Sequence, residues 1–299
     1  MPELCGGVST AELIASIGSA QNADGGWGYT GRSSWTEPTA FALLALSASG
    51  ALSERSRQGF RWLARTERRE GGWAPVPSVS ESTWVTAPAV LALAETESAH
   101  NLQPAVDWLL RQTGEESTLV DRVRRVLLGT KMEVGEGTSG WPWLAGTAGW
   151  VMPTALTILA LEKAQRRGHA AGTQKRVQQG REFLLARICD DGGWNYGASQ
   201  ALGYQAHSYP DTTGMALLAL HGSSSPKVTA ALAKAQEQVG LCRSAQTLCW
   251  LYMGLAAHGR RPSADTGNCR LDNPNLIDRA LVLLARAAEQ SRPSVWGAV

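Results

Sequence analysis

The sequence predicts an all-α protein, an α/α toroid (barrel) of about six helical hairpins with an apolar inner ring and an amphipathic outer ring. Three observations carry this expectation. A glycine–tryptophan turn recurs along the chain, a nearly uncharged helix follows each copy, and a charged, one-sided helix comes before it. A helix apolar on every side must be buried on every side, and a helix with one apolar stripe covers it, so the economical packing is one ring inside another.

The elements follow in that order. "STAELIASIGSAQ" opens with Ser9 as a cap and Glu12 three residues on, a capping box. The turns read "ADGGWGY", "REGGWAP", "GTSGWPW" and "DDGGWNY", and the helices after them read "PTAFALLAL", "VTAPAVLAL", "PTALTILAL" and "TTGMALLAL". The offset from tryptophan to threonine is 12 residues from Trp27 to Thr39, 13 from Trp73 to Thr86 and from Trp141 to Thr154, and 19 from Trp194 to Thr213. The stretches 53–70 and 173–188 keep apolar residues at helical spacing with charges elsewhere, the mark of surface helices. "VTAALAKAQEQVG" with "SAQTLCWLYMGLAAHG" makes a fifth pair, and "NLIDRALVLLARAAEQ" reads as a sixth outer-type helix before a degenerate "VWG". Residues 113–138 read as an insertion, an extra helix with a glycine-rich loop, within a single domain spanning 1–299.

Composition narrows the function. The chain has 299 residues, 43% hydrophobic and 18% charged, with a net charge of +2 and twelve tryptophans against three phenylalanines. No basic run interleaved with aromatics is present, which argues against nucleic acid as a partner. The first eighteen residues lack the layout of a signal peptide, and no apolar run reaches the roughly 18 residues of a membrane span. Five scattered cysteines without a CxxC read as free thiols, so a cytoplasmic location is expected, with peripheral membrane contact open to a protein whose ligand is apolar. His207, Asp211, His221, Cys242 and Cys249 share one third of the chain without a short ligand spacing, so no metal and no cofactor is expected. Neither a G-x-S-x-G nor a phosphate loop occurs.

Parallel inner helices gather their starts at one end. Four residues before the marker threonine stand Trp35, Trp150 and Tyr209, and two before it stand Glu37, Trp84, Met152 and Asp211. The mouth is therefore expected to hold aromatics and two carboxylates. Aromatic faces stabilise cations by roughly 0.5–2 kcal/mol each when desolvated. A buried carboxylic acid can serve as a proton donor. The competing reading is plain capping, because acids near helix starts complement the dipole. Asp211 ends a connection about six residues longer than the others, and a long loop in a compact repeat often carries function. That loop adds Tyr196, Tyr204 and His207, and Trp143 of the third turn completes the candidate ligand-contacting set.

"QNADGGWGY", "ICDDGGWNY" and "PTAFALLAL" resemble the QW-type repeats of squalene–hopene cyclases and of the related barrel of protein prenyltransferase β subunits. The resemblance covers about residues 9–290. It implies a toroid that binds a hydrophobic isoprenoid. Such cyclases protonate an alkene or epoxide with the middle acid of a D-x-D-D-T-A motif, which falls here on Tyr209 to Gly214 and aligns Asp211 with the donor. His207 is the candidate to orient it, and Glu37 is a second acid. Tyr209 and Thr212 replace the flanking acids, and Thr213 stands where a zinc-binding cysteine of the prenyltransferases is needed. A lipid carrier without catalysis, or a repeat scaffold acting through its outer surface, are the alternatives.

Overall fold

The computed structural model describes residues 7–30, 33–96, 100–114, 139–169, 172–197, 200–201, 204–262, 271, 275–290 and 295–297. Their helices are α1 (Thr10–Ser19), α2 (Thr36–Ala48), α3 (Glu54–Thr66), α4 (Thr86–Leu93), α5 (Gln103–Arg111), α6 (Val151–Arg166), α7 (Thr173–Ala186), α8 (Pro210–Ala219), α9 (Pro226–Leu241), α10 (Ala245–Ala256) and α11 (Leu276–Glu289). Two small antiparallel ladders join them: β1 (Trp141–Pro142) with β2 (Gly149–Trp150), and β3 (Gln200–Ala201) with β4 (Tyr204–Gln205). Of the expected insertion, residues 115–138 lie outside the described residues.

The recurring turn is a lock built from the same bonds each time. Gly25, Gly71 and Gly192 have φ of 91°, 94° and 92°, a conformation that costs glycine little. The next glycine has no room for a side chain: a Cβ on Gly26, Gly72 or Gly193 would sit 2.5, 2.5 or 2.6 Å from the Cβ of Ser34, Ser82 or Ser208. The backbone N–H of Trp27, Trp73, Trp141 and Trp194 donates to the hydroxyl of Thr39, Thr86, Thr154 and Thr213, at 2.8, 2.9, 2.8 and 3.1 Å. Their indole N–H groups donate to the carbonyls of Ile17, Leu63, Leu109 and Leu184 in the preceding outer helices. Each tryptophan thus ties the end of an outer helix to the first turns of an inner one, and all four side chains are buried.

Six of the described helices close the inner ring. α2 packs on α4, α4 on α6, α6 on α8, α8 on α10, α10 on α11, and α11 returns to α2. The starts of these helices are stitched at one rim, where Thr36 N–H donates to Pro75 O (2.9 Å), Trp84 N–H to Trp143 O (3.1 Å) and Val151 N–H to Tyr196 O (3.0 Å). The ends meet at the other rim, where Ser47 donates to Glu95, Glu95 pairs with Lys163, and His258 Nε2–H donates to Leu217 O at 2.9 Å. α2 is buried except at Glu37 and Ser47, and α4 is buried throughout. Gly214 and Gly254 bring α8 and α10 into backbone contact, since a Cβ on Gly214 would lie 2.3 Å from the Trp250 carbonyl carbon. α1, α3, α5, α7 and α9 pack outside the ring.

One element departs from the sequence expectation. α11 reads as an outer-type helix, yet it is an inner stave packed between α10 and α2. Its charges explain the misreading, because they face α1 rather than water. Arg286, only 4% exposed, donates to Thr10 Oγ1 (3.1 Å) and Val8 O (2.9 Å), and Arg279 donates to Ser16 Oγ (2.7 Å). Asp278 is used in a capping box with Asn275.

Candidate functional site

The rim of inner-helix starts collects most of the residues singled out from the sequence. α2 and α8 begin with aromatic cap residues, Trp35 and Tyr209, which make no side-chain cap bond. The acids in the first turn of each helix accept a phenol. Tyr29 donates to Glu37 Oε2, and Tyr196 donates to Asp211 Oδ2 at 2.8 Å. Tyr29 also meets Trp35 edge-on at 5.5 Å, and Tyr196 lies 5.2 Å from Tyr209. These two Tyr–acid–aromatic units are built alike, and α2 and α8 occupy opposite places in the ring. Sequence reasoning missed Tyr29 and the role of Tyr196. The signal was present in "GGWGY" and "GGWNY", which place a tyrosine two residues after the turn tryptophan in the two copies that carry an acid.

Between them the rim is aromatic. Trp84 and Trp143 meet edge-on at 4.8 Å, over a void of only about 10 Å³ shared with Trp108, Trp141 and Thr157. Trp150 opens β2's end to solvent and lies against Gly197, where a Cβ would be 3.4 Å from its ring. Tyr204 stands in β4 opposite Ala201. His207 is exposed, and Asp211 takes its bond from Tyr196 rather than from it. The rim aromatics therefore pair with one another and do not enclose a ligand-sized void beneath the Trp84–Trp143 pair. A separate hollow of about 440 Å³ flanks the rim between the start of α2 and the end of α3, lined by Thr36, Arg65, Arg68, Arg69, Ala74 and Val76 among others.

Burial holds the Glu37 carboxyl above its usual range, and the Tyr29 hydroxyl only partly offsets this. The phenols are pushed up as well: Tyr29 by burial and then by Glu37, and Tyr196, to about 12, by burial and then by its bond to Asp211. Both phenols stay protonated at neutral pH and act as fixed donors to the carboxylates. Among the described residues no group of three or more His, Cys, Asp or Glu side chains is placed to hold a metal, and no described helix is long and apolar enough to cross a membrane.

No protein-family model matches the chain, and no curated protein matches it in sequence. Solved structures match its shape. A GH76 α-mannanase from Bacteroides thetaiotaomicron aligns with TM-score 0.61 at 12% identity, over 96% of this chain and 97% of that one. An ent-copalyl diphosphate synthase from Streptomyces platensis aligns with TM-score 0.54 at 16% identity, over 88% of this chain and 50% of that one. The chain is an α/α toroid. At these identities the toroid shares a fold with both neighbours, and it spans about half the length of the synthase it matches. Two neighbours so different in name leave the choice of chemistry to the rim residues of this toroid.

Proposed function

We propose that the toroid binds an apolar, isoprenoid-class molecule across its aromatic rim and starts a cyclisation or isomerisation by proton transfer. The general acid is Asp211, with Glu37 as the second acid across the ring. The observation that carries this reading is the pairing of each carboxylate with a phenol among aromatic faces at inner-helix starts. The resemblance to the cyclase repeats supports Asp211, which stands at the donor's place. In the step, the carboxyl O–H bond breaks as a C–H bond forms on the alkene. The resulting cation faces Trp35, Trp84, Trp143, Trp150 and Tyr209, and loss of a neighbouring proton to a carboxylate ends the reaction with no other reactant consumed. The Tyr196 hydroxyl holds the donor in place, the task the sequence reading gave to His207.

Incubation with prenyl diphosphates and squalene, read by mass spectrometry, tests this. Product from the wild type, lost in Asp211→Asn and reduced in Glu37→Gln, supports it; unchanged turnover in Asp211→Asn ends the assignment. A second reading, a lipid carrier without catalysis, is favoured by the pairwise packing of the rim aromatics. Tight binding without product, equal in wild type and Asp211→Asn, selects it.

A further inference from the structure

The hollow of about 440 Å³ beside the rim carries charge that the fold leaves unanswered. The guanidiniums of Arg65, Arg68 and Arg69 line it. Arg68 is engaged: its Nε pairs with Glu70 Oε1 at 3.1 Å, and its Nη1 donates to Val79 O at 2.9 Å. Arg65 donates to a neutral carbonyl, Asp24 O, while the Asp24 carboxylate accepts from Ser34 and Trp62. Arg69 makes no hydrogen bond or ion pair among the described residues, and both it and Arg65 are exposed. The two acids of the lining do not balance them. Glu70 is taken up by Arg68 and by the Ser82 hydroxyl, at 2.8 Å. Glu67 has one oxygen buried and the other 3.0 Å from His100 Nε2.

The neutral donors of the lining are already spent. A hydroxyl has one hydrogen to donate. That of Thr36 goes to Ala74 O at 2.6 Å, and that of Thr66 to Trp62 O and Leu63 O at 2.9 and 3.0 Å. The donors left for a ligand are guanidinium N–H groups, which hold an anion well and leave a neutral polyol little to bind. The rest of the lining is apolar, from Ala74, Val76 and Pro77. This wall is fixed to the start of α2, because Thr36 also donates its N–H to Pro75 O at 2.9 Å. The hollow lies in the size range of small-molecule sites and is larger than a bare phosphate ion needs.

We infer that this hollow is a second ligand site, which binds a soluble phosphate ester bearing a small apolar group. Arg65 and Arg69 hold the phosphate, whose oxygens match the paired N–H groups of a guanidinium. Ala74, Val76 and Pro77 take the apolar group. The ligand is a soluble ester and not a lipid headgroup, because none of the large apolar side chains that the protein exposes lines the hollow to anchor acyl chains. The site stands on the end of α3 and the turn after it, uses none of the acids or aromatics of the rim, and does not depend on the function proposed there.

The test is isothermal titration of the full chain with phenyl phosphate, inorganic phosphate and benzyl alcohol. Phenyl phosphate should bind saturably at one site, about fivefold more tightly than inorganic phosphate, and benzyl alcohol should not bind. Arg69→Gln and Arg65→Gln should each weaken phenyl phosphate by about fivefold. Arg57→Gln removes a positive charge from the same helix outside the hollow, where Arg57 pairs with Glu54, and should leave the affinity unchanged. Arg69 holds no part of the fold together, so its variant should keep the helical circular dichroism of the wild type. No binding by the wild type, affinity unchanged in both hollow variants, or an equal loss in Arg57→Gln overturns the site. Inorganic phosphate binding as tightly as the ester overturns the role of the apolar wall, and benzyl alcohol binding as tightly overturns recognition by charge. Sedimentation with vesicles of phosphatidylcholine and phosphatidic acid, abolished in Arg69→Gln and not competed by phenyl phosphate, overturns the soluble ligand. Asp211→Asn should bind phenyl phosphate as the wild type does, so failure of the rim chemistry and failure of the hollow are read separately.

Discussion

Thr212 and Thr213 are neighbouring, wholly buried residues whose hydroxyls do different work, and replacing each with valine separates a bond that satisfies a donor from one that only adds to a satisfied acceptor. Thr213 Oγ1 is the acceptor for Trp194 N–H at 3.1 Å. In Thr213→Val that amide is left buried and unpaired, a cost of roughly 1–3 kcal/mol. Its donation to Tyr209 O is also lost, but that carbonyl keeps the Thr213 N–H at 3.0 Å. Thr212 Oγ1 instead donates to Trp194 O (2.6 Å) and Tyr209 O (3.1 Å). Trp194 O keeps the Tyr209 N–H at 2.7 Å, so Thr212→Val strands no donor. Shape and β-branching are kept in both variants. We expect Thr213→Val to cost about 2 kcal/mol and Thr212→Val about 0.5 kcal/mol. Equilibrium urea unfolding followed by circular dichroism, at unchanged m, measures both. Equal losses, or a larger loss in Thr212→Val, would refute the claim that the threonine–tryptophan bond sets the turn.

Three further outcomes are expected. Gly180→Ala should destabilise by about 1 kcal/mol in urea unfolding, because its Cβ would lie 2.5 Å from Trp141 Cζ3 and overpacking outweighs the helix-propensity gain; Gly240→Ala, with open space around it, should stabilise by up to about 1 kcal/mol. Glu37→Gln should stabilise the fold increasingly as pH rises above the ordinary carboxylate range. Burial raises the folded-state value of Glu37 above its unfolded one, so the native state holds the extra proton and stability falls as pH climbs through that window; a constant gap between variant and wild type from acid to neutral pH would contradict this. In Asp211→Asn, ultraviolet titration of phenolate should show one tyrosine ionising at lower pH, because the carboxylate that helps hold Tyr196 at about 12 is gone; an unchanged curve would remove that coupling.

How much of this was legible in the sequence follows from the range of the interactions. The ring is legible because turn, tryptophan and threonine recur together, at offsets of 12, 13, 13 and 19 residues. The rim positions of Trp35, Glu37, Trp150, Tyr209 and Asp211 are legible for the same reason, since the Trp N–H to Thr hydroxyl bond makes the threonine a true origin for counting. α11 was misplaced because periodicity reports that charges share a face and not what covers that face; here α1 covers it. The filling of the bore was not legible at all. Phe41, Trp250 and Trp296 meet across separations of more than two hundred residues for Phe41, and no local pattern encodes such a meeting.

The repeats also serve as controls for one another. All four turns share glycine before tryptophan and threonine in the following helix, so these residues belong to the fold. Two residues after the tryptophan the copies differ, reading Tyr29, Pro75, Trp143 and Tyr196, and two before the threonine they differ again, reading Glu37, Trp84, Met152 and Asp211. The fold therefore accepts a proline, an indole or a thioether at these places and does not itself require an acid. Yet the differences are matched: an acid stands only in the copies that carry the tyrosine, and in both the phenol donates to it. A capping role would need the carboxylate alone, at any inner-helix start, without a phenol beside it. The matched pairs, set on opposite staves of the ring, place each carboxyl group beside a phenol among aromatic faces, and the proton transfer proposed above rests on that arrangement.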